Sequence, residues 1–350
     1  MPNDYPFFPG TTKSTPLTSK PAARRPITPH EKQLWAEMAQ LLLLAGLAES
    51  SQWEARDIVF HGGTSLHLGW ASPRFSEDLD FLLNKELMSE MGKTMQEVVS
   101  RMERYMLRLD AGLHVELKDK STSRMGRYNV VISKDGVIGK SVVKSEFWAV
   151  DDSYLQRYRA TPRTPILPDS MQANGLFVRL RAQLPVATLD SVFCDKLVAM
   201  AGRPYSKWRD IFDLWWITQS REFQRPSDEV LAERVRFYAG AYRCDPNSDT
   251  DGDSEDQTTS GHPPDTLAER LRAYAARVEQ PEMEKAAHEE LSRFLVDYTG
   301  KARAHGLLDG IDKMIANAAY TARHVAELLD RQSDRDAESD FYRPRERIAG

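Results

Sequence analysis

Apolar residues along the chain follow two different periods. Thr28-Pro29-His30-Glu31 opens a helix, with threonine at the N-cap, proline at the first helical position and glutamate three residues on, and the apolar pattern carries that helix to about Leu47. Arg56–Phe60 is a short strand candidate, cut off by Gly62-Gly63. Thr64–Trp70 suits a short helix, Ala71–Glu77 a loop, and Asp78–Leu83 a buried strand. Met88, Met91, Met95, Val98, Val99, Met102, Met106 and Leu109 then recur at helical spacing, which makes the methionines core packing rather than a cofactor site. Strand patterns follow at Leu113–Lys118, Arg127–Ser133 and Val142–Val150, with Lys134-Asp135-Gly136 supplying the turn between the last two.

From about Thr188 the period becomes helical: Leu189–Gly202, Trp208–Thr218, Glu229–Ala239, Thr266–Arg277, Glu282–Tyr298 and Gly310–Leu329. The last has Ile311, Met314, Ile315, Ala318, Ala322, Val325 and Leu329 on one side, a stripe that faces a core. This order predicts an α+β fold, a mixed N-terminal core over 28–187 followed by a helical domain over 188–331. Residues 1–27, rich in Pro, Thr and Ser, and 332–350, strongly charged, read as poorly ordered tails.

Composition changes this picture little. With 350 residues, 41% hydrophobic and 28% charged, the chain is that of an ordinary globular protein. Two cysteines, Cys194 and Cys244, cannot make a disulfide framework, and no apolar run is long enough to span a bilayer. The expectation is a cytoplasmic protein with no membrane association. Charge changes it more. The net value of −5 hides an uneven distribution. Six acids crowd into Asp245–Asp256 in a stretch without apolar residues, which reads as a solvated linker over about 244–264 that interrupts the helical domain. Lys118–Lys144 carries seven Lys or Arg against Asp119 and Asp135, and Arg157, Arg159 and Arg163 follow. A local basic surface is one reading and a solvated hairpin face the other.

The chemistry is concentrated in HGGTSLHLGWASPRFSEDLDFLL, residues 61–83. On a strand, side chains at i and i+2 share a face, so Asp78 and Asp80 are two carboxylates side by side in an apolar setting. Such a pair needs a positive partner, and a hard divalent cation such as Mg²⁺, bound through oxygens, suits it. A third carboxylate on a neighbouring strand would permit a two-metal arrangement; Glu146 is the candidate. Gly62 and Gly63 let backbone approach a ligand closely, Thr64 and Ser65 add hydroxyls, and the helix that starts there offers its N-terminus to an anion. A phosphate cradle beside a cation-binding pair describes a nucleoside-triphosphate site. Each half alone is weak, and no Gly-Lys-Ser/Thr marks the phosphate loop of ATPases.

The same stretch closely resembles the nucleotidyltransferase toxins of the AbiEii/AbiGii type, found in abortive-infection and type IV toxin–antitoxin systems. The shared features are the Gly-Gly-Thr motif, then Arg74-Phe75-Ser76-Glu77-Asp78-Leu79-Asp80, then DKLVAMAGRPYSKWRDIFDLW with Lys196, Arg203, Arg209, Asp210 and Asp213. The resemblance spans roughly 58–215. It implies a polymerase-β-like nucleotidyltransferase core with a helical C-terminal domain. It also implies that Gly62, Gly63, Thr64 and Ser65 hold triphosphate oxygens, that Asp78 and Asp80 hold Mg²⁺, that Lys196 reaches the triphosphate, and that Asp210 aligns the attacking group or orients Lys196. A nucleoside triphosphate substrate, a tRNA 3′ end as acceptor and a separately encoded antitoxin follow from it as expectations.

Each residue also has a plainer reading. Lys196 alone would be a solvated helix lysine, Asp210 a surface partner of Lys207, and Asp213 a brace for an arginine such as Arg209. Glu146 would be a surface strand residue, His61 a packed or solvated histidine, and Arg74 the partner of a local acid. Two other functions stay open: transfer of a nucleotide or phosphate to a protein side chain, and a catalytically idle binding module. Retention of the glycines, both aspartates and Lys196 weighs against the last.

Overall fold

The chain is described from a computed structural model covering residues 24–50, 54, 56–122, 125–168, 171, 182–242, 266–295 and 307–341. The acidic stretch 245–256, Cys244 and residues 1–23 of the N-terminal tail lie outside these described residues.

Helix α1 (Pro29–Ala48) starts as its sequence requires: Thr28 accepts from the Glu31 amide while the Glu31 carboxylate accepts from the Thr28 amide. Seven strands make a mixed sheet in the order β4-β5-β7-β3-β2-β9-β8. They are β2 (Ile58–His61), β3 (Leu79–Asn84), β4 (Leu113–Asp119), β5 (Met125–Lys134), β7 (Ser141–Val150), β8 (Ala160–Arg163) and β9 (Leu184–Ala187). Strand β3 is central, antiparallel to β2 and parallel to β7. Two-residue strands β1 (Arg25–Pro26) and β6 (Val137–Ile138) pair with each other, so the last residues of the expected N-terminal tail are paired to the core.

Alternation along β3 decides which chemistry meets which core. Leu79, Phe81 and Leu83 enter an apolar cluster with α1 and with α3 (Met91–Leu109), whose methionines pack as the helical spacing foretold. Phe81 stacks between Phe60 and Phe147 at centroid distances of 5.3 and 4.7 Å. Leu82 points to the other side, into a second cluster with Val59 and the C-terminal helices. Asp80, two residues before Leu82, therefore faces the helical half of the molecule.

That half comprises α5 (Leu189–Gly202), α6 (Trp208–Gln219), α7 (Asp228–Tyr242), α8 (Leu267–Val278), α9 (Met283–Phe294) and α10 (Ile311–Phe341). The first two match the sequence periodicity almost residue for residue. Helix α10 runs well past the Leu329 end expected from its apolar stripe, so the tail expected to be poorly ordered from residue 332 is helical as far as Phe341. It is also pinned there: Arg236 donates to the Leu329 carbonyl at 2.7 Å and to Ser333 Oγ at 2.6 Å.

Besides the two-residue β1 and β6, the elements β8, β9 and a short helix α4 (Asp152–Arg157) escape the sequence pattern. Strand β9 reads Leu-Pro-Val-Ala, too short to show a period and carrying a proline that cannot donate to a ladder, yet it lies inside the sheet beside β2. Among the described residues no helix is long and apolar enough to cross a membrane.

Candidate active site

The turn from β2 into helix α2 (Gly62–Trp70) is built around the second aspartate. His61 and Asp80 are direct cross-strand partners. Gly62 follows with φ of +78°, and a Cβ there would fall on the Asp80 carboxylate, so only glycine fits. A Cβ on Gly63 would strike the Arg74 guanidinium and reach 3.0 Å from Ser76 Oγ. Both glycines are thus required by close approach. Thr64 and Ser65 are fully buried; the Thr64 hydroxyl donates to the Asp78 carbonyl, and Ser65 Oγ donates to the Gly62 carbonyl at 2.8 Å. In this arrangement the hydroxyls brace the turn, leaving the backbone amides of α2's first turn as its anion-facing groups. Gln40 on α1 holds the approach to β3 from behind, donating to the carbonyls of Ser76 and Glu77 at 2.8 and 3.0 Å.

Asp78 lies one residue ahead of β3, and Asp80 is its second residue. Among the described residues neither carboxylate makes a hydrogen bond or ion pair. Burial, reinforced by Asp78, raises the pKa of Asp80 above the usual carboxylate range although the charges of His61, Lys196 and Lys207 oppose this. Glu146 stands beside Asp80 in the parallel β3–β7 register, so it shares that face. Its carboxylate is 2.9 Å from Arg127 Nε, and burial together with Asp80 raises its pKa too. Against the plainer reading of a surface strand residue, Glu146 is on a strand but half-buried and ion-paired.

Two unpartnered carboxylates facing a glycine turn fit a hard divalent cation that takes its remaining ligands from phosphate and water. The third carboxylate is engaged by Arg127. Consistently, no group of three or more His, Cys, Asp or Glu is gathered in metal-binding geometry among the described residues.

Across from this face, α5 and α6 contribute a buried ionic chain. Lys196 Nζ lies 2.6 Å from Asp210 Oδ1 and 2.7 Å from Asp213 Oδ2. Arg74, on the loop before β3, meets Asp213 with two parallel hydrogen bonds of 2.7 and 2.8 Å, and Arg203 pairs with Asp210. Burial opposes the Lys196 charge, but Asp210 and Asp213 outweigh it and hold its pKa above the ordinary lysine value. Burial likewise opposes the Asp210 carboxylate, and Lys196 with Arg203 outweighs it, holding that pKa far below the usual range. The plain readings of Lys196 as solvated and Asp210 as a surface partner of Lys207 are therefore corrected: both are buried, and their contact joins positions fourteen apart in sequence. Arg74 does not pair locally but with Asp213, 139 residues on, and Asp213 braces Arg74 rather than Arg209. Arg209 instead approaches Glu290 at 3.6 Å and lies over Phe294.

The structure thus brings Asp78, Asp80, Glu146, Lys196 and Asp210 around the Gly62–Ser65 turn, joining segments more than a hundred residues apart. A family model described as nucleotidyl transferase AbiEii toxin, type IV toxin–antitoxin system, matches residues 42–317. The chain belongs to the AbiEii nucleotidyltransferase toxin family.

Solved structures similar to this AbiEii chain include the nucleotidyltransferase toxin MenT4 of Mycobacterium tuberculosis H37Rv. It is 19% identical with a TM-score of 0.49, and the match covers 87% of this chain and 95% of that one. Another is JHP933 of Helicobacter pylori, 16% identical with a TM-score of 0.45, covering 89% of this chain and 98% of that one. A search of curated proteins gave no match.

Two further groups border the AbiEii site, and of the plainer readings of His61 the packed one holds. His61 Nδ1 lies 3.7 Å from Asp195 Oδ2, which also accepts from the Tyr158 hydroxyl, while His61 Nε2 and Asp195 Oδ1 are buried without hydrogen-bond partners. Lys207, two residues before Arg209 in the second motif, is half-buried, and its charge is felt by Asp80. Their surroundings could not be read from spacing, because both depend on where β2, α4, α5 and α6 meet.

The basic surface is more neutralised than a charge count suggests. Arg157, Arg159 and Arg163 pair with Glu233, Asp190 and Glu222, and Lys134 pairs with Asp110. Lys120, Lys140 and Lys144 remain exposed without a salt bridge among the described residues.

Proposed function

We propose that this AbiEii toxin is a Mg²⁺-dependent enzyme that transfers a nucleotide from a nucleoside triphosphate to the 3′ end of a tRNA, in the cytoplasm, under restraint by a separately encoded antitoxin. The observation that carries the reading is the uncompensated Asp78–Asp80 pair, set against the Gly62–Ser65 turn and facing a buried Lys196–Asp210 contact. In the reaction the acceptor hydroxyl oxygen forms a bond to the α-phosphorus, the bond to the β-phosphate oxygen breaks, and pyrophosphate and the hydroxyl proton leave. Such chemistry needs charge neutralisation and in-line alignment more than covalent help. A cation held by Asp78 and Asp80 would neutralise the phosphates and orient the two oxygens. The amides at the start of α2 face the anionic end of the triphosphate, and the glycines let it approach. Asp210 fixes the Lys196 ammonium, and Arg74 ties the loop before β3 to α6, so the two halves of the site hold their spacing.

An RNA acceptor is supported by Lys144, exposed on the strand that carries Glu146 and two residues before it, and by the exposed, unpaired Lys120 and Lys140. The test incubates purified protein with Mg²⁺ and each labelled nucleoside triphosphate, with total RNA and with cell protein, beside an Asp80→Ala variant. Label entering small RNA with the unaltered chain alone is the expected result and names the nucleotide. Label in a protein band instead would move the acceptor to a protein side chain, the antitoxin's included. No Asp80-dependent label from a folded sample would leave a binding module.

A further inference from the structure

Five cations gather where α5 and α6 meet the sheet, and four are neutralised. Arg74 is held by Asp213, Lys196 by Asp210 and Asp213, Arg203 by Asp210, and Arg209 by Glu290. Lys207 has no ion pair or side-chain hydrogen bond among the described residues. It is half-buried. Burial, with Arg203, Arg209 and Lys196 nearby, depresses its pKa, and Asp210 offsets this only in part. A confined ammonium among like charges is unfavourable unless an anion joins it. Among the described residues no carboxylate lies within ion-pair distance of it, and the field of Lys207 reaches Asp80, where the phosphates of a nucleotide would lie.

Lys207 ends a loop, Arg203–Lys207, that is held rather than loose. Arg277 of α8 donates to the carbonyls of Pro204 and Arg203 at 3.0 and 3.4 Å and to Ser206 Oγ at 3.2 Å. Its guanidinium lies 5.4 Å from the Tyr274 ring centroid. On this anchored loop Tyr205 leaves 54% of its surface exposed, two residues from Lys207. A single exposed aromatic is ordinary on a protein surface. An aromatic on a pinned backbone, two residues from an unpaired cation whose charge reaches Asp80, is a platform for a base whose phosphates reach that cation.

We infer that the loop Arg203–Lys207 is the nucleotide-holding element of this site, with the Lys207 ammonium donating to a triphosphate oxygen and the Tyr205 ring stacking on a nucleobase. The inference rests on the transferase reading above. It places the phosphate-contacting cation on Lys207 and leaves Lys196, doubly paired and buried, as an internal tie.

The test measures binding of the four α,β-methylene nucleoside triphosphates, which cannot transfer, to the full chain with Mg²⁺ by calorimetry. Lys207→Ala is expected to weaken binding at least tenfold, and Lys207→Arg to restore most of it, both melting as the unaltered chain does. Tyr205→Ala is expected to weaken analogue binding several-fold, with Tyr205→Phe unchanged. If Tyr205→Ala instead raises only the KM for acceptor RNA, the stacked base is the acceptor's, and the platform stands. Lys207→Ala binding as tightly as the unaltered chain would overturn the phosphate contact, and a Tyr205→Ala that moves neither quantity would overturn the platform. An unaltered chain that binds no analogue would overturn the transferase reading, and the loop's role with it.

Discussion

Asp80 is a carboxylate in an unfavourable setting, created by burial and by Asp78 and only partly offset by His61, Lys196 and Lys207. It sits beside another carboxylate, beside Glu146 in register, and under a glycine whose missing side chain leaves it uncovered. Asp80→Asn keeps the shape and removes the charge; we expect the transfer rate to fall by about 10³-fold, the worth of several kcal/mol of charge stabilisation, with the melting temperature unchanged or raised. A rate near that of the unaltered chain would remove Asp80 from the chemistry. Gly62→Ala tests the turn. The backbone at φ +78° should cost about 1–2 kcal/mol in urea unfolding, and the added methyl would also displace the Asp80 carboxylate and lower activity. An alanine tolerated without loss of stability or rate would show that the turn can relax.

At the scale of elements, the loop before β3 and helices α5 and α6 are joined by the Arg74–Asp213–Lys196–Asp210–Arg203 chain. Breaking one member leaves another buried and unpaired. Arg74→Met should therefore cost about 3–5 kcal/mol by denaturant titration, far more than loss of an exposed pair such as Lys85–Asp151. The chain also has a pH signature. Asp210 is held below its unfolded pKa, so its stabilisation is complete above about pH 4 and drains as pH falls toward its folded value. Lys196 is held above its unfolded pKa, so its share is complete below about pH 10 and is lost as pH rises through its folded value. Unfolding free energies measured from pH 2 to pH 11 should show both losses. Substituting the Lys196–Asp210 pair by Met and Asn should flatten both limbs, and a variant with unchanged limbs would assign them elsewhere. Which elements exist was legible where the period was long. The methionine helix and α5 follow from spacing alone, whereas β9, with four residues and a proline, gives no periodic signal and is placed only by its pairing with β2.

At the scale of the molecule, the sheet separates two apolar clusters. One lies under α1 and α3, the other joins the sheet to the C-terminal helices, and the site occupies the second side. A nucleotide held between the β2–α2 turn and the α5–α6 loop would bind only when both are assembled. Mg²⁺ with a non-transferable triphosphate at a hundredfold excess over Kd should then stabilise the fold by about 2.7 kcal/mol, seen as a raised Tm. Asp80→Asn should abolish that shift, and a shift that survives the change would place the nucleotide elsewhere. The sequence by itself determined the α+β order, the glycine turn and the paired aspartates, because a strand's two-residue alternation and glycine's freedom are local properties of the chain. It also carried the motif residues Lys196, Asp210 and Asp213, though not their contacts. Only the tertiary structure decided that Arg74 meets Asp213 rather than a neighbour, that Glu146 stands beside Asp80 with Arg127 upon it, and that Lys207, among the described cations gathered where α5 and α6 meet the sheet, is left without an ion pair. The physical reason is that charge compensation inside a protein depends on distance in space. That distance is set by how the sheet and the helices pack, which no spacing along the chain records.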